Sequence, residues 1–185
     1  ASGPQKLSMN IYILKRELLI DLVHTAFVRG YVYFERDILA HRLDKLNVKA
    51  YRFDGYLARI TDMKSYFDEN MKLLEDENLD ALFNPNPIYT KIRDDNPTRY
   101  INGSKVKNVM AADGCIIEGE VENSVLFRGV KIAKGAKVRN CVLMQDTVVG
   151  EGCDLEYVIT DKNVTISADK EIKGTNTFPD RKSVV

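Results

Sequence analysis

Residues 109–166 read VMAADGCIIEGEVENSVLFRGVKIAKGAKVRNCVLMQDTVVGEGCDLEYVITDKNVTI, and this stretch decides the fold. Mainly aliphatic residues recur along it at steps of six, six and five, which make a period of 17 residues. The recurring residues are Val109, Cys115, Val121, Leu126, Ile132, Val138, Leu143, Val149, Leu155, Thr160 and Ile166. No helical period of 3.6 residues persists. Three short sides per turn, each with one inward residue, predict a triangular coil of parallel strands stacked about 4.8 Å apart.

The period sorts the inward side chains into three columns. One column holds Val121, Val138 and Leu155, the second holds Val109, Leu126, Leu143 and Thr160, and the third holds Cys115, Ile132, Val149 and Ile166. Residues that tolerate tight corners recur between them, namely Gly114, Gly119, Gly129, Gly135, Gly150, Gly152, Asp113, Asn123, Asn140, Asp146 and Asn163. Steps of this kind are typical of left-handed parallel β-helices. An antiparallel sandwich is the alternative, but a sandwich would not require one period over successive columns.

The region before the coil has a different pattern. The sequence predicts strands over residues 9–14 and 48–53, and helices over residues 16–28, 35–46, 62–74 and 75–82, with Thr61 or Asp62 as the cap of the third helix. Two proline-containing breaks at residues 84–87 and 94–97 mark a linker. We therefore expect a mixed α/β domain with its linker over residues 1–99 and the β-helix domain over residues 100–185.

Composition narrows the classes of function. Acidic and basic residues balance at 27 each, which argues against nucleic acid or an anionic membrane as the main partner. No apolar run approaches the length of a membrane span, about 18 residues. The three cysteines show no CxxC spacing of a metal site, and Cys115 is interpreted as a small core residue. A reducing, cytoplasmic setting is expected.

No catalytic constellation follows from the residues alone. Hexapeptide coils that transfer acyl groups use a histidine as general base, but here His24 and His41 both precede the coil and are interpreted as exposed helix residues. The sequence has no GxGxxG or GxxxxGK[ST] phosphate loop. The pair Asp94-Asp95 is interpreted as a solvated loop, with a metal site as the alternative. The basic run Lys131, Lys134, Lys137 and Arg139 is interpreted as a solvated face, with an anion or effector patch as the alternative.

Several segments together resemble one enzyme family. They are Ser8 to Tyr12 (SMNIY), Phe53 to Tyr56 (FDGY), Tyr66 to Leu74 (YFDENMKLL), Pro87 to Thr90 (PIYT), Gly114 to Gly119 (GCIIEG) and Val121 to Phe127 (VENSVLF). In this order they resemble glucose-1-phosphate adenylyltransferase over nearly the whole chain. The resemblance implies the end of a Rossmann-like nucleotidyltransferase domain followed by a left-handed β-helix. The nucleotide-binding half of that family, with its glycine-rich loop, has no counterpart in this sequence.

The resemblance also implies site residues. Ser8 matches a serine that contacts the sugar phosphate, although Asn10 replaces the glycine of an SMGIY-like segment. Arg59 stands where a GYWRD-like segment carries a carboxylate that helps to hold the sugar. A guanidinium donates hydrogen bonds and cannot accept them, so this change reverses the chemistry of the position. Lys162 matches a lysine that binds an activator in plant members, with an exposed corner lysine that has no ligand as the alternative. No catalytic residue and no metal ligand is predicted in this chain.

The two departures, at Asn10 and Arg59, are typical of the bacterial regulatory subunit of glycogen biosynthesis. The resemblance therefore implies a partner in ADP-glucose synthesis with an assembly and allosteric role, and leaves open whether the protein is an enzyme. It implies Mg²⁺ for the full-length family, a homo- or heterotetramer with a catalytic adenylyltransferase subunit, and a sugar phosphate or small effector as ligand. A different sugar-phosphate nucleotidyltransferase and a structural assembly module without ligand are the alternatives.

Overall fold

A computed structural model describes residues 8–84, 88–89 and 92–182 of the 185-residue chain. The chain divides into two compact units, residues 1–53 and residues 54–185. The second unit holds the coil and also two of the helices that precede it. The domain boundary between residues 99 and 100, which the sequence predicts, stays a prediction.

The first unit is helical. Helix α1 spans Arg16–Arg29 and ends at Gly30, whose left-handed φ of 67° lets its N–H reach back to the last turn. A π-helix, Phe34–Leu39, then continues into the short helix α2, Ala40–Arg42. The carboxylate of Asp37 accepts hydrogen bonds from the N–H groups of residues 32 and 33 at 3.0 Å each. These helices lie where the sequence predicts helices over residues 16–28 and 35–46.

The two strands predicted before the coil do not form. Residues 11–15 and 47–54 have no regular secondary structure. A strand needs a neighbour that accepts and donates its backbone hydrogen bonds, and neither segment pairs with any strand among the described residues. The strands predicted over residues 9–14 and 48–53 were therefore wrong.

Two helices of the second unit precede the coil. Helix α3 spans Met63–Lys72, and helix α4 spans Asp76–Phe83. The sequence predicts Thr61 or Asp62 as the cap of α3, and in the structure the cap is Asp62. Its carboxylate accepts the N–H of Ser65 at 2.7 Å, and the hydroxyl of Ser65 accepts the N–H of Asp62 at 3.0 Å. This reciprocal pair is a capping box, which satisfies donors that the first helical turn leaves free.

The rest of the second unit is a parallel β-solenoid of about four turns, as expected for a left-handed hexapeptide β-helix. One side stacks β1 (Arg99–Tyr100), β3 (Ile116–Ile117), β5 (Lys131–Ile132), β8 (Val148–Val149) and β11 (Thr165–Ile166). The other sheet pairs, in order, β12 (Glu171–Lys173), β9 (Asp154–Glu156), β6 (Lys137–Arg139), β4 (Glu120–Leu126), β7 (Val142–Leu143), β10 (Val158–Thr160) and β13 (Asp180–Lys182), with β2 (Lys105–Ala111) against β4. The long strand β4 turns a corner at Asn123, where φ is 45°. Its first part pairs with β6 and its second part with β7, so this sheet supplies the second and third sides of the triangle.

The strand register confirms most of the predicted columns and corrects their first members. Val121 pairs with Val138, and Val138 with Leu155, at the expected spacing of 17 residues. The preceding turn is two residues shorter, because Ile132 pairs with Ile117 and Leu126 pairs with Ala111. Cys115 and Val109, which the constant period assigned to those columns, are therefore displaced from them. Extrapolation failed because the length of one corner is free to change while the sides keep their pairing.

The interior of the solenoid is a continuous apolar core. The buried residues include Ile117, Val130, Ile132, Val138, Leu143, Val149, Leu155, Val164 and Ile166. Two buried threonines interrupt it, and they satisfy each other, with 2.9 Å between the hydroxyl oxygens of Thr147 and Thr160. The three thiols are free and buried, and each donates to a backbone carbonyl oxygen at 3.0–3.2 Å. The cysteines are therefore core residues, as the sequence predicts for Cys115.

Candidate functional site

The main feature outside the solenoid core is a contact between helix α3 and the third side of the solenoid. Phe67 of α3 is only 2% exposed and packs on three outward side chains of successive turns. These are Val125, Val142 and Ile159, all buried. Apolar residues on the outside of a solenoid side need a covering element, and α3 is that element here. We call this cluster the helix–solenoid contact.

One end of the helix–solenoid contact approaches the corner that carries Lys162. Tyr66, the neighbour of Phe67, has a raised pKa because it is partly buried, and the negative charge of Asp161 adds to the effect. The pKa of Asp161 itself is lowered by a hydrogen bond from the N–H of Lys162, at 2.8 Å, and by the guanidinium of Arg181, at 3.3 Å. Helix α3 and the 161–162 corner therefore interact electrostatically.

Lys162 is exposed at this corner, between β10 and β11. Backbone hydrogen bonds stack the corner on the preceding turns, since Asn163 N–H donates to Gln145 and Asp146 N–H donates to Arg128. The column beneath Lys162 thus places Gln145 and Arg128 at the same corner, one turn apart. Lys162 and Arg128 are therefore two turns apart on the same edge, about 9.6 Å at the strand spacing, and the carboxylate of Asp161 reduces the positive charge beside Lys162.

The other two predicted site residues lie in different compact units. Arg59 belongs to the second unit, three residues before the Asp62 cap of α3, and its side chain is exposed. Ser8 belongs to the first unit, is exposed, and accepts the N–H of Asn10 at 3.1 Å. Asn10 has a φ of 57°, a conformation that glycine or asparagine adopts readily. The replacement of a glycine by Asn10 is therefore compatible with the backbone.

The basic run in the coil does not form one patch. Lys131 lies in β5 on the first side, whereas Lys137 and Arg139 lie in β6 on the second side. On that second side, basic and acidic residues alternate between neighbouring strands. Arg139 pairs with Asp154 at 2.8 Å and with Glu156 at 3.7 Å.

The whole outer face of the second side is balanced in this way. Its two outward rows hold Lys105, Glu120, Lys137, Asp154 and Glu171, and Lys107, Glu122, Arg139, Glu156 and Lys173, which are five cations and five carboxylates. Lys105–Glu120 and Lys107–Glu122 pair at 2.7 and 2.8 Å. A face of zero net charge has no particular attraction for anions. The interpretation as a solvated face, rather than an effector patch, is the one that this geometry favours.

The remaining polar residues singled out in the sequence do not assemble a reaction centre within the described residues. His24 and His41 are exposed in the first unit. Asp94 is exposed, and Asp95 pairs with Arg93 at 3.4 Å, in keeping with a loop. No group of three or more His, Cys, Asp or Glu side chains in the described ranges could hold a metal ion. Nor does any described helix combine the length and apolar character that crossing a membrane requires.

Sequence reasoning missed the helix–solenoid contact. The signal was present, because Val125, Val142 and Ile159 are a second apolar column at the same 17-residue spacing, one residue before the inward column of Leu126. In a strand, neighbouring side chains point to opposite faces, so this column had to be on the outside. An exposed apolar column predicts a cover, which the apolar face of α3 supplies.

Comparison with known proteins gives consistent relatives. Residues 91–184 match the family model "GlmU-like, C-terminal hexapeptide". The chain is 40% identical over 173 residues to the glycogen biosynthesis protein GlgD of Bacillus subtilis, which is 93% of this chain and 50% of that protein. It is 43% identical to the GlgD of Geobacillus stearothermophilus over 71% of this chain and 38% of that protein. It is 38% identical to the glucose-1-phosphate adenylyltransferase of Thermomicrobium roseum over 87% of this chain and 39% of that enzyme. The chain thus spans half or less of the length of these relatives.

Proposed function

The chain belongs to the GlmU-like C-terminal hexapeptide family, and from this premise we propose that it is the C-terminal part of a regulatory subunit in glycogen biosynthesis. The observation that carries the proposal is the similarity to two glycogen biosynthesis proteins named GlgD, one of them over 93% of the chain. The arginine at position 59 supports it, because a guanidinium cannot take the place of a carboxylate that accepts hydrogen bonds from sugar hydroxyls.

The geometry offers a physical route for such regulation. Helix α3 begins just after Arg59, and its cap at Asp62 fixes where the helix starts. Phe67 anchors the helix on the solenoid, and Tyr66 lies within the electrostatic influence of Asp161, next to Lys162. An anion bound at Lys162 would change the charge beside Tyr66. Because α3 is a rigid element between the two places, a shift at the corner would move the segment that carries Arg59.

Three partners of the full-length protein belong to the same proposal. A catalytic adenylyltransferase subunit would form a homo- or heterotetramer with it, a sugar phosphate would approach Ser8 or Arg59, and a small anionic effector would bind at Lys162. The Mg²⁺ expected for the family has no set of ligands among the described residues, so no step of the proposal uses it.

A second candidate is that the full-length protein is itself a glucose-1-phosphate adenylyltransferase. The 38% identity to the Thermomicrobium roseum enzyme favours it. The two candidates differ in what the isolated protein does. A regulatory subunit alone makes little ADP-glucose from ATP and glucose 1-phosphate, whereas an adenylyltransferase turns over without help.

The test is therefore the rate of ADP-glucose formation by the isolated full-length protein at saturating substrates and Mg²⁺. We expect a rate close to background, and we expect the Arg59→Asp variant to gain weakly at most. Arg93→Asp, a change of the same charge at an exposed loop arginine, is the control. Robust synthesis by the unmodified protein would reject the regulatory assignment and favour the second candidate.

A further inference from the structure

A groove of about 440 Å³ lies between helix α3 and one corner of the solenoid. This is a volume typical of sites for small molecules. The solenoid wall carries Asn108, Asn123, Asn140 and Tyr157, one from each of four successive turns. The groove is on a different corner from Lys162, and neither the resemblance nor the relatives assign a role to it.

The three asparagines form a ladder on the outside of the corner. Their φ angles are 50°, 45° and 51°, so each turns the chain in the same left-handed conformation. The side-chain N–H of Asn108 donates to the side-chain oxygen of Asn123 at 2.9 Å. Within the described residues, the amide of Asn140 has no side-chain hydrogen bond, and the amide nitrogen of Asn123 has none. The ladder therefore presents donors and an acceptor to the groove.

The left-handed corner accounts for asparagine at these positions, as it does for Asn163 at another corner; what sets these three amides apart is that they line a groove. Gly129, Gly135 and Gly152 turn other corners with positive φ and no side chain. In the groove itself, the fourth position of the ladder is Tyr157, with a φ of 52° that is unfavourable for a bulky residue. Its ring lies 6.1 Å from the ring of Phe67, measured between centroids. The groove thus combines amides along its floor with aromatic rings at one end.

The helix wall sets the charge of the ligand. Asp68 and Glu75 line the groove with Lys72. Lys64 pairs with Asp68, and Lys72 pairs with Glu69 at 2.7 Å. Glu75 is therefore the carboxylate that leaves this wall with a net negative charge, which disfavours a phosphate or other anion. Amides and carboxylates match hydroxyl groups, because an amide can both donate and accept and a carboxylate accepts. The ring of Tyr157 suits the C–H face of a sugar ring, whereas Phe67 is buried against the solenoid behind it.

From this arrangement we propose that the groove binds a neutral polyhydroxylated ligand, an oligosaccharide rather than a sugar phosphate. Asn123 and Asn140 hold hydroxyl groups at successive turns, about 4.8 Å apart. Glu75 accepts from a hydroxyl on the opposite side, since both oxygens of Asp68 already accept from Lys64, and Tyr157 packs on the ring. A ladder of amides favours a ligand with hydroxyl groups along its length. The inference is independent of whether the full-length protein is regulatory or catalytic.

The proposal is tested by titrating the chain with maltotriose and measuring binding by isothermal titration calorimetry and by saturation-transfer NMR. We expect saturable binding of maltotriose that glucose 1-phosphate does not displace. Asn140→Gly should weaken this binding about fivefold or more, since it removes an amide while keeping a residue that accepts the left-handed φ. The double variant Asn123→Gly and Asn140→Gly should show no saturable binding.

Asn163→Gly is the matched control, because Asn163 has a φ of 58° at a different corner, outside the groove. It should bind maltotriose as the unmodified chain does. Circular dichroism melting of all variants shows whether each one is folded. The proposal is overturned if the unmodified chain shows no saturable binding, if glucose 1-phosphate displaces maltotriose, or if folded Asn140→Gly and Asn163→Gly variants bind equally well.

Discussion

Replacing Phe67 by alanine should release helix α3 from the solenoid. Phe67 is 2% exposed and its ring covers Val125, Val142 and Ile159, so the change leaves a cavity on the outside of three turns. Removal of a buried phenylalanine costs about 3 to 5 kcal/mol. Helix α3 has 10 residues, too few to be stable alone in water. Without its anchor the helix should therefore unfold locally while the solenoid core, which Phe67 does not enter, stays intact.

Hydrogen exchange measured by mass spectrometry reports this directly. A loss of about 3 kcal/mol corresponds to exchange about 100-fold faster, so the amides of α3 should lose nearly all their protection. The strands that form the solenoid interior should keep theirs. Phe83→Ala is the matched control, because Phe83 is 48% exposed in α4 and its removal should change exchange little.

Two results would refute this reasoning. Unchanged protection of α3 in a folded Phe67→Ala variant would mean that the helix does not depend on its anchor. An equal loss of protection in α3 and in the solenoid strands would mean that the two unfold as one cooperative unit. Helix α3 could then not move separately from the solenoid.

Three further outcomes follow from the same structure. The pKa of Asp62 is lowered mainly by the N–H of Ser65, so its contribution to α3 is present above the unfolded pKa of about 3.9 and is lost as pH falls through the folded pKa. The protection factors of the α3 amides, taken relative to the intrinsic exchange rate at each pH, should therefore fall on acidification, and Asp62→Ala should remove that pH dependence. All three thiols are buried, and burial raises the pKa of Cys141 to about 12. They should therefore not react with a disulfide reagent at pH 8 until denaturant is added, and fast reaction of the folded chain would contradict their burial. A Cβ at Gly119 would lie 2.4 Å from the carbonyl oxygen of Ala136, so Gly119→Ala should lower the free energy of unfolding by several kcal/mol in a denaturant titration, and an unchanged midpoint would show that the corner can move apart.

The repeat made the solenoid predictable, because a stacked side exposes its period directly in the sequence. Leu126, Leu143 and Thr160 share one column in the sequence and in the structure, since each side must offer one inward residue per turn. The turn of the solenoid from Ile117 to Ile132 has 15 residues instead of 17. This difference was not predictable, because corners are solvent-exposed and their length carries no apolar signal. The strands expected over residues 9–14 and 48–53 failed for another reason. Alternation specifies an extended segment, but a sheet also needs a partner, and the sequence of the segment does not supply one.

The candidate site was less predictable than the fold. Lys162 and Arg59 were identified by resemblance, and nothing in their spacing brings them into relation. In the proposed route, helix α3 relates them, because it begins after Arg59 and its Tyr66 feels the charge of Asp161 next to Lys162. The position of α3 depends on Phe67 meeting an outward apolar column. That pairing is a long-range contact whose register cannot be derived from either segment alone.

We propose that the full-length protein regulates a catalytic adenylyltransferase, and the most direct measurement is the turnover of that enzyme with the full-length protein added in increasing amounts. The account predicts that turnover per catalytic subunit rises and saturates, while the full-length protein alone stays near background. A complex that forms without any rise in turnover, or robust synthesis by the protein alone, would contradict it.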